Sequence, residues 1–117
     1  MNISVKRAYE KPDPEDGMRI LVDRLWPRGL SKEDARIDVW LKFVAPSNDL
    51  RKWYQHDPQK WVEFKRRYFV ELDAHGDAVN ELVGYIKCSS VTLLYSAKEL
   101  HCNNAVALKE YINKVLE

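Results

Sequence analysis

The sequence predicts an α/β fold, a single compact layered domain with a small, largely parallel sheet flanked by helices, on three observations. Short runs rich in β-formers, above all 18–22 and 91–95, are separated by segments whose apolar residues recur at steps of three and four. Strands alternating with helices in this way favour a parallel sheet with right-handed crossovers. At 117 residues and 45% apolar, the chain holds one core, so a single domain is expected over 1–117.

Taken in order, residues 3–9, Ile-Ser-Val-Lys-Arg-Ala-Tyr, alternate apolar and polar side chains and suit a strand with one covered face. Lys11 to Gly17 carries two prolines, a glycine and four charges, a surface loop. Met18 to Val22 reads as a near-continuous apolar strand that runs straight into the polar segment Asp23 to Gly29. Ser31 followed by Asp34 fits an N-cap with an acidic first turn, giving a short helix over 32–36. Trp40 to Val44 fits a strand or an extended segment. Ala45-Pro46-Ser47 then breaks the chain, and Ser47 can cap a helix through Gln55 whose stripe is Leu50, Trp53 and Tyr54.

Asp57-Pro58 is a strong helix start, because Asp satisfies orphan amides and Pro at the first position loses no hydrogen bond. Trp61, Phe64, Tyr68 and Leu72 define one buried face over 58–74, and His75-Gly76 is expected to end that helix, with Gly76 able to take the left-handed conformation. A second amphipathic helix over 77–87 carries Val79, Leu82, Val83 and Ile86. The strand Val91 to Tyr95 follows, then the polar loop Ser96 to Cys102. Asn103 or Asn104 caps a last helix with the stripe Leu108, Tyr111, Ile112, Val115 and Leu116.

Composition narrows the class. The longest apolar runs are about five residues against the roughly 20 of a membrane span, and the N-terminal residues lack the apolar core of a signal peptide, so no membrane partner and a cytoplasmic location are expected. Two cysteines make no disulfide framework. Three isolated histidines and two separated cysteines make no recognisable ligand set, so no metal and no cofactor are expected. Net charge is +1 overall, yet residues 1–70 hold 15 Lys/Arg against 11 Asp/Glu and residues 71–117 hold 4 against 7. A pI near 7.8 lies below the value above about 9 usual for a nucleic-acid module, but leaves room for a local anion site.

Ligands of open α/β sheets bind beyond the carboxyl ends of strands. Two loops have that address: Asp23 to Gly29, with Asp23, Arg24 and Arg28, and Ser96 to Asn104, with Ser96, Lys98, Glu99, His101, Cys102 and Asn103. If the strands before them are neighbours, the loops face each other. Arg24 and Arg28 could then grip a phosphate or carboxylate bidentately, Lys98 could add a point charge, and the amides opening the last helix would reinforce it. The competing reading pairs the arginines with Asp23, Glu33, Asp34 or Asp38. Trp26 is either a stacking platform or a wall. His56-Asp57 could move a proton, although Asp57 is already accounted for as a cap, and His101-Cys102 could activate a thiolate, although adjacent side chains seldom point the same way.

The run Val22 through Ser31, Ala45-Pro46-Ser47 with Leu50-Arg51-Lys52-Trp53, His56-Asp57-Pro58 with Trp61, and Leu93 through Ala97 resemble the YeaO-like proteins. These are bacterial and archaeal members of a larger family of unknown function, and the resemblance covers nearly all of the chain. It implies a compact α/β domain and a site in the loops that carry its motifs: around Asp23, Arg24, Trp26 and Arg28, at Arg51, His56 and Asp57, and at Lys98 with the acid after it. It implies no agreed activity. In the family pattern the last loop reads Ala-Lys-Asp, two variable residues, then His-Asn; here Glu99 stands at the Asp position and Cys102 at the His position, with His101 one residue earlier. A mechanism built on that Asp and His does not carry over as it stands, although a Cys beside a His could replace part of it.

Three functions compete. The leading one is a protein that binds an anionic, phosphorylated or nucleotide-like ligand through Arg24, Arg28, Lys98 and Arg51. If it is also an enzyme, Asp23, His56, Glu99 or His101 would transfer protons. The second is a nucleic-acid-binding module that adds Lys52, Lys65, Arg66 and Arg67, with Trp26 or Trp53 stacking on bases. The third is a non-catalytic partner-binding protein or homodimer with an exposed apolar patch.

Overall fold

In the computed structural model, which describes residues 2–117, four strands form one sheet in the order β1-β4-β2-β3, and every pair is parallel. The strands are β1 (Ile3–Arg7), β2 (Met18–Leu21), β3 (Val39–Trp40) and β4 (Val91–Tyr95). The helices are α1 (Lys32–Ala35), α2 (Asn48–Tyr54), α3 (Trp61–Ala74), α4 (Gly76–Cys88) and α5 (Asn104–Val115), with single 3-10 turns at Pro14–Asp16, Lys42–Val44 and Pro58–Lys60. The last strand in sequence thus enters the middle of the sheet, between β1 and β2. No described helix is long and apolar enough to cross a membrane.

Side-chain alternation divides the sheet into two faces. Ile20, Val22, Val91, Leu93 and Tyr95 join the main core with Leu50, Phe64, Tyr68, Leu72, Leu82, Leu108 and Ile112 from α2 to α5. Leu21 and Leu94 point the other way, into a smaller cluster with Ala8, Ala35 and Ile37, covered by α1 and Leu30. One face therefore carries four helices and the other a thin cover. On the thin side Arg19 is only 3% exposed, donating from Nη1 to Asp16 Oδ2 at 2.6 Å and from Nε to Ala35 O at 3.0 Å. β4 is buried along its whole length because neighbours flank it on both sides and cover both faces.

The caps expected from local sequence are the ones found. Ser31 accepts from Asp34 N, Ser47 from Leu50 N, Asp57 from Gln59 N and Asn103 from Val106 N. Three expectations need correction. α3 does stop at Ala74 with His75 as its C-cap at φ −118°, but Gly76 is not left-handed and instead opens α4. Only Val39–Trp40 pairs as a strand, because residues 42–44 tighten at once into a 3-10 turn. The first turn after Asp57 is likewise 3-10, and the α-helix starts at Trp61.

Candidate functional site

β2 and β4 are neighbours, so the loops at their carboxyl ends meet. Asp23 ties them together: Oδ2 accepts from the Ser96 amide at 2.9 Å and from Ser96 Oγ at 2.7 Å, while Oδ1 accepts from Asn104 Nδ2 at 3.0 Å. Asn104 Nδ2 also donates to Val22 O at 3.1 Å, so the first residue of α5 grips the end of β2. A cavity of about 350 Å³ opens above this junction.

Eight of the eleven residues singled out in the sequence line this cavity: Asp23, Arg24, Trp26, Arg28, Arg51, His56, Ser96 and Asn103. Lys98, Glu99 and His101 do not. Lys98 is exposed outside it, and the Glu99 carboxylate turns back on its own loop, where Oε1 accepts from the amides of His101 at 2.9 Å and Cys102 at 3.1 Å. Those amide bonds, the His101 one foremost, hold the Glu99 carboxyl below its ordinary value. Glu99 thus shapes the turn before α5. Its backbone carbonyl also accepts from Asn103 Nδ2 at 2.9 Å, completing the cap of α5.

The arginines arrive from three positions. Arg24 donates from Nε to Pro46 O at 3.2 Å and from Nη2 to Ala45 O at 3.3 Å, which leaves Nη1 for a ligand. Arg28 is exposed, at a bend that Gly29 closes with φ +79°. Arg51 leaves the last turn of α2, with Nη1 donating to Asn48 Oδ1 at 3.1 Å. Among the described residues none of the three pairs with a carboxylate, so the internal salt bridges weighed for Arg24 and Arg28 are not formed. The lining holds one carboxylate, Asp23, for a formal wall charge of +2 with histidine neutral.

Five ring side chains also line it: Tyr9, Trp26, Tyr54, His56 and Phe64. Trp26 is a wall anchored from behind, with Nε1 donating to Leu30 O at 2.7 Å and its ring meeting Trp40 edge-on at 5.4 Å. Tyr54 stacks on Phe64 at 4.3 Å, and its hydroxyl donates to Cys102 O at 2.8 Å. Burial first, with the nearby Cys102, Glu99 and Asp57 charges adding to it, pushes the Tyr54 phenol up to about 12. His56 is exposed at φ +56°, directly after Gln55 at φ +47°. Two successive left-handed residues turn the chain sharply from α2 towards Asp57. Asp57 Oδ1 accepts from Gln59 N at 3.0 Å, so it acts as a cap.

Two contributors were missed. Arg7, ending β1, donates from Nε to Ala97 O at 2.9 Å and from Nη2 to Ser96 O at 3.0 Å. Tyr9 donates from its hydroxyl to Arg28 O at 2.8 Å and lies under the Arg7 guanidinium at 4.9 Å. The chain after β1 thus braces both loops at once. The rule used for β2 and β4, that function gathers at strand carboxyl ends, applies equally to β1 and would have found them.

Three of the four helix residues weighed for nucleic acid are engaged in ion pairs, while Lys52 is exposed. Lys65 pairs with Glu110 at 3.1 Å, and Arg66 and Arg67 both pair with Glu63 at 2.7 Å, while Arg67 also covers the Trp53 ring at 4.1 Å. Among the described residues no three His, Cys, Asp or Glu side chains gather closely enough to hold a metal ion.

A family model described as the inactive DUF488-N3 subclade, DUF488-N3i, matches residues 2–117. The uncharacterized protein YeaO of Escherichia coli is 40% identical over 115 residues, covering 98% of this chain and 100% of that protein. Uncharacterized proteins of Mycobacterium bovis and Mycobacterium tuberculosis are each 41% identical over 111 residues, 95% of this chain and 93% of theirs. No solved structure matches the chain.

Proposed function

For this chain, which belongs to the DUF488-N3i family of YeaO-like proteins, we propose that the cavity at the carboxyl ends of β2 and β4 binds an anionic, phosphorylated or nucleotide-like ligand. The observation that carries this reading is the imbalance of the wall: three guanidinium groups without carboxylate partners against one carboxylate. That carboxylate, on Asp23, already accepts three hydrogen bonds from Ser96 and Asn104. An anion in the cavity would therefore meet planar, bidentate donors. The N-terminus of the twelve-residue helix α5 adds its partial positive charge, since Asn103 and Asn104 both line the cavity.

The reading favours binding over turnover. Asp23 is committed to holding two loops together, Glu99 to the turn before α5 and Asp57 to a cap, so His56 is the one proposed proton carrier that lines the cavity free of such a task. The description of the matched subclade as inactive points the same way. Nucleic-acid binding is the weaker reading, because Lys65, Arg66 and Arg67 are paired with Glu110 and Glu63.

A thermal-shift screen against inorganic phosphate, sugar phosphates, nucleotides and short oligonucleotides, at low and moderate salt, tests the proposal. A ligand at about 100 times its dissociation constant adds about 2.7 kcal/mol, on the order of 10 °C for a domain of this size. The expected result is a salt-tolerant shift from a small phosphate that is lost when Arg28→Ala and Arg51→Ala are combined. Stabilisation by oligonucleotides alone that disappears with salt, or no shift with any anion, overturns it.

A further inference from the structure

We infer that the groove between residues 40–44 and 74–81 is the contact surface of a symmetric dimer, and that its occupant is the same groove of a second copy of this chain. The inference stands apart from the anion-site reading, because the groove shares no lining residue with that cavity.

The groove measures about 730 Å³. Its first bank is the edge of the sheet: Trp40 ends β3, the last strand in the sheet order, and the 3-10 turn Lys42–Val44 follows. Here Phe43 stands 61% exposed, the most exposed aromatic ring among the described residues, with Trp40 three positions earlier at 38%. The second bank is the junction of α3 and α4, where Ala74, Gly76 and Ala78 are small. A Cβ at Gly76 would meet nothing within 4 Å, so this bank is hollow. Phe43 does not fill the hollow of its own chain. A two-fold axis through the groove lets each ring enter the hollow of the other copy, the self-complementary arrangement of an isologous contact.

The rim charges favour a second copy over other occupants. Lys42 lies on the first bank, its ammonium 5.4 Å from the Trp40 ring centroid and 5.6 Å from that of Phe43. Asp77 and Glu81 lie on the second bank, and all three side chains are exposed. Among the described residues none of the three forms an ion pair. Opposite charges on the two banks complement themselves: a half-turn sets each Lys42 against Asp77 and Glu81 of the other copy. A nucleic acid or an anionic lipid surface would instead meet one lysine against two carboxylates, a rim that disfavours it. In such a contact the central rings supply most of the affinity and the rim charges set register and partner choice.

The experiment is analytical ultracentrifugation of the full chain at about 100 μM, where a Kd of that order or tighter shows as association. The expected mass is twice that of the 13.8 kDa chain. Phe43→Asp is expected to return the monomer, as is Lys42→Glu alone, and as is Asp77→Lys combined with Glu81→Lys. An equal mixture of the Lys42→Glu chain with the Asp77→Lys, Glu81→Lys chain is expected to restore the dimer mass, because across a two-fold contact every rim pair is then attractive again. All the substituted side chains are exposed, so each variant should keep its Tm within about 5 °C of the native chain. A native chain that is monomeric at this concentration, a dimer that survives Phe43→Asp, or a mixture that stays monomeric overturns the inference.

Discussion

Asp23 and Ser96, 73 residues apart in sequence, are joined by two hydrogen bonds to a single carboxylate oxygen, one from the Ser96 amide and one from its hydroxyl. The pair fixes the spacing of the two loops that make the cavity, because Asp23 lies two residues beyond the end of β2 and Ser96 directly follows β4. Its other oxygen holds Asn104 at the start of α5. Asp23→Asn puts an amide nitrogen where one of these acceptors stood and removes the charge that strengthens the bonds. A loss of about 1–3 kcal/mol is expected, read as a fall in Tm on the order of 5–15 °C. An unchanged Tm would show that water replaces the tie.

Arg24 and Arg28 should separate on mutation although both face the cavity. Arg24 holds the carbonyls of Pro46 and Ala45, whereas the exposed Arg28 side chain makes no such bond among the described residues. Arg24→Ala is expected to cost about 1–2 kcal/mol of stability, and Arg28→Ala to stay within about 0.5 kcal/mol. Urea denaturation of the two variants checks this, and equal losses would contradict it.

Gly17 admits no side chain. It sits at φ +64°, and a Cβ there would come within 2.3 Å of Ser90 O, the carbonyl that accepts from Met18 N at the start of β2. Gly17→Ala therefore combines a disfavoured backbone with a collision against backbone that cannot swing aside. A destabilisation of about 2–4 kcal/mol is expected. Gly29→Ala, at φ +79° with nothing within 4 Å, should cost about 1 kcal/mol. Thermal melts of the two variants should rank in that order.

The contribution of Glu99 is pH-dependent with a definite sign. The amides of His101 and Cys102 favour its ionised form in the folded protein, so the folded carboxyl titrates below the ordinary 4.5. Its stabilisation is therefore fully present above about 4.5 and is lost as pH falls through the lowered folded value. The difference in Tm between the native chain and Glu99→Gln should be steady from pH 7 to 5 and close as acid is added below that. A gap that widened in acid would show the carboxyl is not held ionised by the loop.

How far the sequence could be read depended on the range of the interactions. Ser31, Ser47, Asp57 and Asn103 were legible as caps because each bonds an amide two or three residues on, a distance any local pattern spans. The loops at 23–29 and 96–104 were legible as a site address from the strand-end rule, but their meeting required β4 to lie beside β2, a pairing no local pattern encodes. For the same reason Arg7 and Tyr9 went unseen, since their partners Ser96, Ala97 and Arg28 are 19 to 90 residues away. The end of α3 at His75 was legible, but not the role of Gly76, because a glycine after a helical stripe commonly closes it in the left-handed region, whereas here it opens α4.

The placing of β4 between β1 and β2 carries a kinetic consequence. β1 pairs with β4 alone, and β2 has only the two-residue β3 beside it until β4 docks. A ribosome must therefore deliver about four-fifths of the chain before most of the sheet can form, and both loops of the cavity close in that same late event. Such non-local pairing meets the cost of closing long loops before any contact rewards it, which slows folding. During synthesis the first two strands wait with open edges, and the step that ends their exposure is the step that builds the cavity.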